Sequence, residues 1–226
     1  MYSGVPGIHA ETCTGVSGSL SRVKGCVLVQ IRGDTSGDRL AYGFEPVECR
    51  PEAFLVRHIQ WVAPWPGAVK LNIDGGSKGN PGVSGGGGIL RNSSGCMIFA
   101  FSSYFGCCTS LQAEAKALLL GLRICEQRGF GGNVVVETDS LMLQRILLKR
   151  CLCPWSISVE VRKIGLLARG SFQVLHCYRE ANKVADILAN ARVAHSQSGV
   201  LVYDGIDELP TLARGAYRLD RLGFPS

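Results

Sequence analysis

A clear pattern of alternating apolar and polar residues begins about 70 residues into the chain. In the stretch VKLNID, residues 69–74, every second residue is apolar. A period of two is typical of a half-buried β-strand whose polar residues lie on the face opposite the apolar ones. The pattern therefore predicts a strand that carries Asp74 at its end, on the polar face, and a glycine-rich turn follows.

The rest of the core alternates between strand and helix patterns. Two strand-like runs, GGGGILRN and GCMIFAFSSYF, flank the turn-forming NSSG. A mostly buried helix is predicted next, because Thr109 and Gln112 form a capping box and Gly129 follows its end. The predicted core is completed by five further elements: the strand NVVVETDS, the helix SLMLQRILLKR, a helical run near 157–169, the strand SFQVLHCY and the helix EANKVADILANARVA. The order βββ-α-β-α-α-β-α predicts an α/β fold, a mixed sheet with helices packed on it.

The ends of the chain lack this patterning. Residues 1–60 are rich in Gly, Ser and Thr and end near the proline-containing WVAPWPGA, which predicts a weakly ordered arm and linker. The regular patterns predict a core domain over 61–195. We expect residues 196–226 to form a C-terminal tail.

The charge of the chain favours a polyanionic partner. The formal net charge is +6, and residues 141–192 carry nine Lys or Arg against three acids, a difference that equals the whole excess. A basic half of this kind is typical of nucleic-acid binding, although a solvated charged face explains it equally well.

Export and membrane insertion are not indicated. No apolar run approaches the roughly 18 residues of a membrane span, and the opening MYSGVPGIHA lacks a charged segment followed by an apolar one. We therefore expect an intracellular protein, in the nucleus or the cytoplasm, with no membrane partner. The ten cysteines are then interpreted as reduced core thiols.

Four acids occupy the ends of predicted elements: Asp74 ends the first strand, Glu114 begins the first helix, Asp139 ends the fourth strand and Asp186 lies in the last helix. Each has an ordinary explanation, as a turn former, a first-turn helix anion, a helix cap or an ion-pair partner of Lys183. Strand ends and helix starts of an α/β sheet nevertheless tend to gather at one edge, where ligands bind.

A cluster of four carboxylates would require a cation. Two unit charges about 4 Å apart repel by about 4 kcal/mol at an effective dielectric near 20. Six such pairs would rival the whole stability of a domain, about 5 to 15 kcal/mol. Oxygen ligands without His or Cys favour Mg²⁺ or Mn²⁺, and several carboxylates can hold two ions about 3.5 to 4 Å apart. The glycines from Gly75 to Gly79 would then let a sugar-phosphate chain approach the backbone.

Four motifs in order, LNIDGGSKGNPG, SLQAEAKALLLGL, VVVETDS and YREANKVADILA, resemble the ribonuclease H type 1 domain, in the plant reverse-transcriptase-like form related to non-LTR retroelements. The resemblance covers about residues 61–195. It implies a five-stranded mixed sheet flanked by helices and a two-metal endonuclease that cuts the RNA strand of an RNA–DNA hybrid, and we expect the chain to act as a monomer.

The resemblance also assigns roles to residues. It implies that Asp74 bridges two Mg²⁺ ions, with Mn²⁺ as an alternative, that Glu114 and Asp139 bind the first ion, and that Asp186 binds the second. It places Asn80 against the minor groove of the substrate, where a 2′-hydroxyl distinguishes RNA from DNA. Gly75 and Ser110 are further candidates for substrate contact.

The chain departs from the family at the loop before the last acid. Many relatives carry a mobile histidine there, whereas this chain has the short connection CYREAN, with Arg179 and Glu180 in its place. His176 falls within a predicted strand and is interpreted as a structural histidine. These departures leave two other functions open: a nucleic-acid-binding remnant with little turnover, and a protein-interaction module on the same fold.

Overall fold

The computed structural model divides the chain into two compact units, Met1–His58 and Ile59–Ser226. The structure describes residues 59–132, 134–167, 173–193 and 199–224, and three strands upstream of them. Those strands, β1 (Leu20–Val23), β2 (Cys26–Val29) and β3 (Leu55–Arg57), form an antiparallel sheet in the order β1-β2-β3. Apart from them, the predicted N-terminal arm lies outside the described residues.

The second unit is built on a six-stranded mixed sheet in the order β8-β7-β4-β5-β6-β9. The pairs β4–β5, β5–β6 and β6–β9 are antiparallel. The pairs β4–β7 and β7–β8 are parallel. The strands are β4 (Val69–Lys78), β5 (Gly82–Asn92), β6 (Met97–Cys108), β7 (Val134–Thr138), β8 (Gln173–His176) and β9 (Val200–Tyr203). The α/β class and the mixed sheet are confirmed, but the predicted count of five strands is one short, because residues 200–203 add an edge strand.

Within the described residues, five α-helices cover the two faces of this sheet. They are α1 (Ser110–Gln127), α2 (Leu141–Leu147), α3 (Ser158–Leu167), α4 (Lys183–Val193) and α5 (Thr211–Arg221). Helices α1, α2 and α3 pack with Leu71 and Ile73 of β4 in one apolar cluster. Helices α4 and α5 pack with Ile89 and Ala100 in a second cluster on the opposite face.

Helix α1 begins and ends where the local sequence predicts. The Thr109 side chain accepts the backbone N–H of Gln112, and the Gln112 side chain accepts the backbone N–H of Thr109. Gly129 follows the helix with φ of +80°, a left-handed conformation that glycine adopts without steric cost. These bonds satisfy backbone donors that the first turn of a helix leaves without partners.

The polar face of β4 differs from the prediction. Alternation predicts a strand with one solvated face, yet Lys70, Asn72 and Asp74 are all buried. They lie on the face that α4 and α5 cover, so both faces of the strand are enclosed. The pattern of the strand itself carries no information about helices that pack on it from more than 100 residues away.

Two further properties are the exposure of the cysteines and the apolar character of the helices. The cysteines of the unit Ile59–Ser226 are free, but Cys107, Cys151 and Cys153 are exposed, so the interpretation as core thiols is wrong for these three. Among the described residues, no helix combines the length and the apolar character needed to cross a bilayer.

Glycine in β5 is required by the approach of α4, which a substitution tests. A Cβ atom at Gly87 would lie 2.6 Å from the backbone of Leu188 and of Ala189. We expect Gly87→Ala to lower the free energy of unfolding by about 1 to 3 kcal/mol, the usual cost of overpacking. The measurement is urea denaturation, with Gly76→Ala in the paired strand as control, because nothing lies within 4 Å of a Cβ there. Equal effects of the two variants would contradict this account of the packing.

Candidate active site

Three of the four predicted acids meet at one edge of the sheet. Asp74, Glu114 and Asp139 each offer a carboxylate oxygen, and these oxygens all lie within 4.8 Å of one another. Asp74 and Glu114 are buried and Asp139 is half-buried. Asp186 is not part of this group of three.

The register of two strands brings the first pair together. Strands β4 and β7 are parallel neighbours, and their pairing ends with Ile73 opposite Thr138. The next residue on each strand is an acid, Asp74 on one and Asp139 on the other. The two carboxylates therefore leave the ladder at the same level of the sheet.

Helix α1 contributes the third acid through a close contact with β4. A Cβ atom at Gly75 would lie 2.3 Å from the backbone nitrogen of Glu114, so only glycine lets the start of the helix lie here. Thr138 also donates its hydroxyl hydrogen to Glu114 Oε2 at 3.4 Å. The space beside Gly75 is thus filled by the helix, whereas nothing lies within 4 Å of a Cβ at Gly76.

Asp186 lies in the first turn of α4 and is held by cationic and amide donors. Its Oδ1 accepts hydrogen bonds from Arg179 at 2.8 Å and from the side chain of Asn190 at 3.1 Å. Its Oδ2 accepts one from Lys183 at 2.9 Å. The ion pair with Lys183 that the spacing predicts is present, and Arg179 adds a second one.

The pKa values of the four acids also distinguish Asp74, Glu114 and Asp139 from Asp186. Burial, together with the charges of Asp139 and Asp186, raises the pKa of Asp74 from 3.8 to about 7. Burial and the charge of Asp74 raise the pKa of Glu114 well above its ordinary value, and burial raises that of Asp139. Without a cation, three ionised groups are therefore unfavourable at this edge of the sheet.

The pKa of Asp186 is shifted in the opposite direction, to a lower value. Burial alone would raise its pKa, but hydrogen bonds from Lys183 and Arg179 outweigh burial and hold the pKa below the ordinary value. The charge of Arg179 also lowers the pKa of Asp74, Glu114 and Asp139. Arg179 is therefore within electrostatic range of all four acids.

The predicted substrate contacts lie at the start of α1. Asn80 is exposed, and its Oδ1 accepts the backbone N–H of Ser110 at 2.8 Å. His176 is on strand β8 as predicted; its side chain is exposed and lies 6.1 Å from the ring of Tyr178, measured between ring centroids.

Sequence reasoning missed a buried polar group next to the acids. Asn182 donates to the carbonyl oxygen of Ile73 at 2.8 Å, and its Nδ2 lies 3.5 Å from Asp139 Oδ1. Two further buried polar residues, Asn72 and Glu137, did have a signal in the sequence. Each stands two positions before an acid and therefore lies on the same face of the sheet as that acid.

Known proteins resemble this chain in sequence. A sequence model of the family described as "Reverse transcriptase-like" matches residues 72–192. A putative ribonuclease H protein of Arabidopsis thaliana is 35% identical over 169 residues, which are 74% of this chain and 26% of the relative. Ribonuclease HI of Halobacterium salinarum is 28% identical over 131 residues, 55% of this chain and 63% of the relative. The chain thus spans less than two thirds of either curated relative.

Solved structures show the same fold. Ribonuclease H1 from Halobacterium salinarum superposes with a TM-score of 0.54 at 25% identity, covering 58% of this chain and 100% of the other. LC11 ribonuclease H1, solved in complex with an RNA/DNA hybrid, gives a TM-score of 0.54 at 25% identity, covering 57% of this chain and 98% of the other. Since the family match spans more than half of the chain, the protein belongs to the reverse transcriptase-like family and has the ribonuclease H fold.

Proposed function

We propose that this chain is a metal-dependent endonuclease that hydrolyses the RNA strand of RNA–DNA hybrids. The observation that carries the proposal is the convergence of Asp74, Glu114 and Asp139, whose oxygens lie within 4.8 Å of one another. Relatives named ribonuclease H, one of them solved with an RNA/DNA hybrid, support the substrate. All four predicted acids lie in the unit Ile59–Ser226, so we propose that a monomer suffices.

The donor set fits a hard divalent cation. The group contains only carboxylate oxygens, which Mg²⁺ and Mn²⁺ prefer. Burial, together with the charges of Asp139 and Asp186, raises the pKa of Asp74 and disfavours its ionised form, and a bound cation would relieve this cost. Such a cation, when bound, supplies an activated water and stabilises developing charge on the phosphate oxygens.

The chain's own residues have separate tasks in this proposal. Asp74, Glu114 and Asp139 would hold the first cation and orient the attacking water, and Asp186 would hold the second. Both oxygens of Asp186 already accept hydrogen bonds from Arg179 and Lys183. Arg179 and Lys183 would therefore have to yield at least one oxygen of Asp186 to a second ion.

Asn80 is proposed to contact the RNA strand. Because its amide oxygen accepts the Ser110 N–H, the amide NH₂ group is the part available to donate to a 2′-hydroxyl. At Gly76, on the strand that precedes Asn80, nothing lies within 4 Å of a Cβ position, which leaves room for a sugar-phosphate chain.

A second function is favoured by two observations. The two basic partners of Asp186 and the absence of a histidine in the connection CYREAN favour slow turnover. In that case the chain binds hybrid without cutting it efficiently.

Asp139→Asn tests the endonuclease directly. The variant keeps the shape of the side chain but removes a carboxylate from the group of three, so we expect Mg²⁺-dependent cutting of an end-labelled RNA–DNA hybrid to fall by roughly 100-fold or more. Asp204→Asn is the matched control, because Asp204 is exposed and pairs with Arg128 away from the acids. EDTA should abolish cutting by the wild type. Binding of hybrid by the wild type without cutting would support the second function.

The raised pKa of Asp74 predicts a pH-dependent stability. Because the folded pKa, about 7, exceeds the ordinary value of 3.8, protonation stabilises the folded state below about pH 4, and this contribution is lost as the pH rises through 7. Ionisation of Asp74 therefore costs on the order of 4 kcal/mol at pH 8 without a cation, at about 1.4 kcal/mol for each pH unit between the two values.

Asp74→Asn removes this cost. In EDTA, we expect the melting temperature of the variant to rise relative to the wild type between pH 4 and pH 8, and Mg²⁺ at pH 8 to stabilise the wild type more than the variant. Thermal melts followed by circular dichroism at several pH values give the comparison. A difference that is constant from pH 4 to pH 8 would mean that the pKa of Asp74 is not raised in the folded protein.

A further inference from the structure

A second pair of polar residues lies directly beneath the acids. Asn72 and Glu137 stand two residues before Asp74 and Asp139, face each other in the register of β4 and β7, and are buried, with 0% and 9% exposure. The side chain of Asn72 donates to Glu137 Oε2 at 3.0 Å. Lys70 donates to the other oxygen, Oε1, at 2.5 Å and so neutralises the Glu137 charge.

The amide of Asn72 has all of its hydrogen-bonding capacity in use. Its Nδ2 donates to Glu137 Oε2 and, at 3.3 Å, to Asn182 Oδ1. Its Oδ1 accepts from Trp61 Nε1 and from a guanidinium nitrogen of Arg91, both at 2.8 Å. Two donors and two acceptor positions are the full inventory of this side chain. Its orientation is therefore fixed by four partners.

That orientation sets the orientation of Asn182. Because Asn182 Oδ1 accepts from Asn72, its Nδ2 is directed to the carbonyl oxygen of Ile73, at 2.8 Å, and towards Asp139 Oδ1, at 3.5 Å. Asn182 thus holds the backbone immediately before Asp74 and approaches the side chain of Asp139. It is 1% exposed, so water does not compete for these contacts.

The same chain of contacts extends to the last helix. Arg91 donates to Asp220 Oδ2 of α5 at 2.6 Å, and both side chains are 1% exposed. The guanidinium carbon of Arg91 lies 3.6 Å from the centroid of the Trp61 ring, which restricts its position further. Asp220 and Trp61 both lie outside the residues that match the family, 72–192.

We propose that Arg91, Asn72 and Asn182 are positioning residues of the acid cluster and that Asp220 of α5 acts on the cluster through them. The contacts run without interruption from Asp220 to Arg91, Asn72, Asn182 and Asp139. Partners that orient metal ligands through hydrogen bonds contribute to metal affinity without touching the metal. The inference rests on the proposed function for the identity of the reaction, while the coupling itself can be measured without it.

Asp220→Asn is the primary test, because it keeps the shape of the side chain and removes the charge that holds Arg91. Tyr217→Phe is the matched control on the same helix, since it removes a hydroxyl that bonds Met97 N and Gly95 O and leaves the chain of contacts intact. Three quantities are measured in the full chain. The first is the ¹H–¹⁵N side-chain amide resonance of Asn182 in metal-free protein, which is identified by its loss in Asn182→Ala. The second is the Mn²⁺ affinity, measured by calorimetry. The third is the pair of kinetic constants kcat and KM on a hybrid substrate.

We expect Asp220→Asn to shift the Asn182 resonance, to weaken Mn²⁺ binding about 3- to 10-fold and to lower kcat by a similar factor, with KM within about twofold. Asn182→Ala should weaken Mn²⁺ binding by about 10- to 100-fold, the range for partners that orient metal ligands. Tyr217→Phe should change only the melting temperature. If Asp220→Asn does not fold, Trp61→Phe removes a single donor to Asn72 and is expected to give the same pattern, about threefold.

The proposal is overturned if Asp220→Asn, or Trp61→Phe in its place, lowers only the melting temperature, as Tyr217→Phe does, with the Asn182 resonance and Mn²⁺ affinity unchanged. It is supported separately from the proposed function if the wild type neither binds Mn²⁺ nor cuts hybrid while the Asn182 resonance still shifts in Asp220→Asn and not in Tyr217→Phe. In that result the nuclease assignment fails and the coupling from α5 remains.

Discussion

The parallel pairing of β4 with β7 is the constraint on which the candidate active site depends. Because Ile73 pairs with Thr138, the acids that follow them leave the sheet side by side. A shift of one residue would send one carboxylate to the other face. This pairing has a cost, because burial of Asp74 and the charge of the half-buried Asp139 both raise the pKa of Asp74. The two apolar clusters on the faces of the sheet supply the stability that offsets it.

Beneath the acids, the sheet encloses a layer of charged and polar side chains where an apolar core would be simpler. Its charges balance, since Lys70 and Arg91 are paired with Glu137 and Asp220. Replacement of such buried pairs by apolar residues is often neutral or stabilising, so their presence is weak evidence for a role in stability alone. A layer of fixed donors directly below the acids is instead what the positioning of carboxylates requires.

The residues that match the family end at 192, but the folded unit continues. Strand β9 pairs with β6, and Tyr203 donates to or accepts from Ser102 at 3.0 Å. Helix α5 completes the second apolar cluster and provides the partner of Arg91. The edge of the family match therefore does not coincide with the edge of the core.

Local patterns determined most of the secondary structure, because periodicity, the Thr109 capping box and the glycine after α1 act within a few residues of chain. The sequence also identified the four acids, and the ion pair of Asp186 with Lys183 follows from spacing within one helix turn. The sixth strand was missed, since four apolar residues in a polar context carry little signal. Only the tertiary structure decided that Glu114 meets Asp74 and that the polar face of β4 is buried. Those facts depend on strand register and on helices distant in sequence, and no local pattern encodes a distance between elements that meet only after folding.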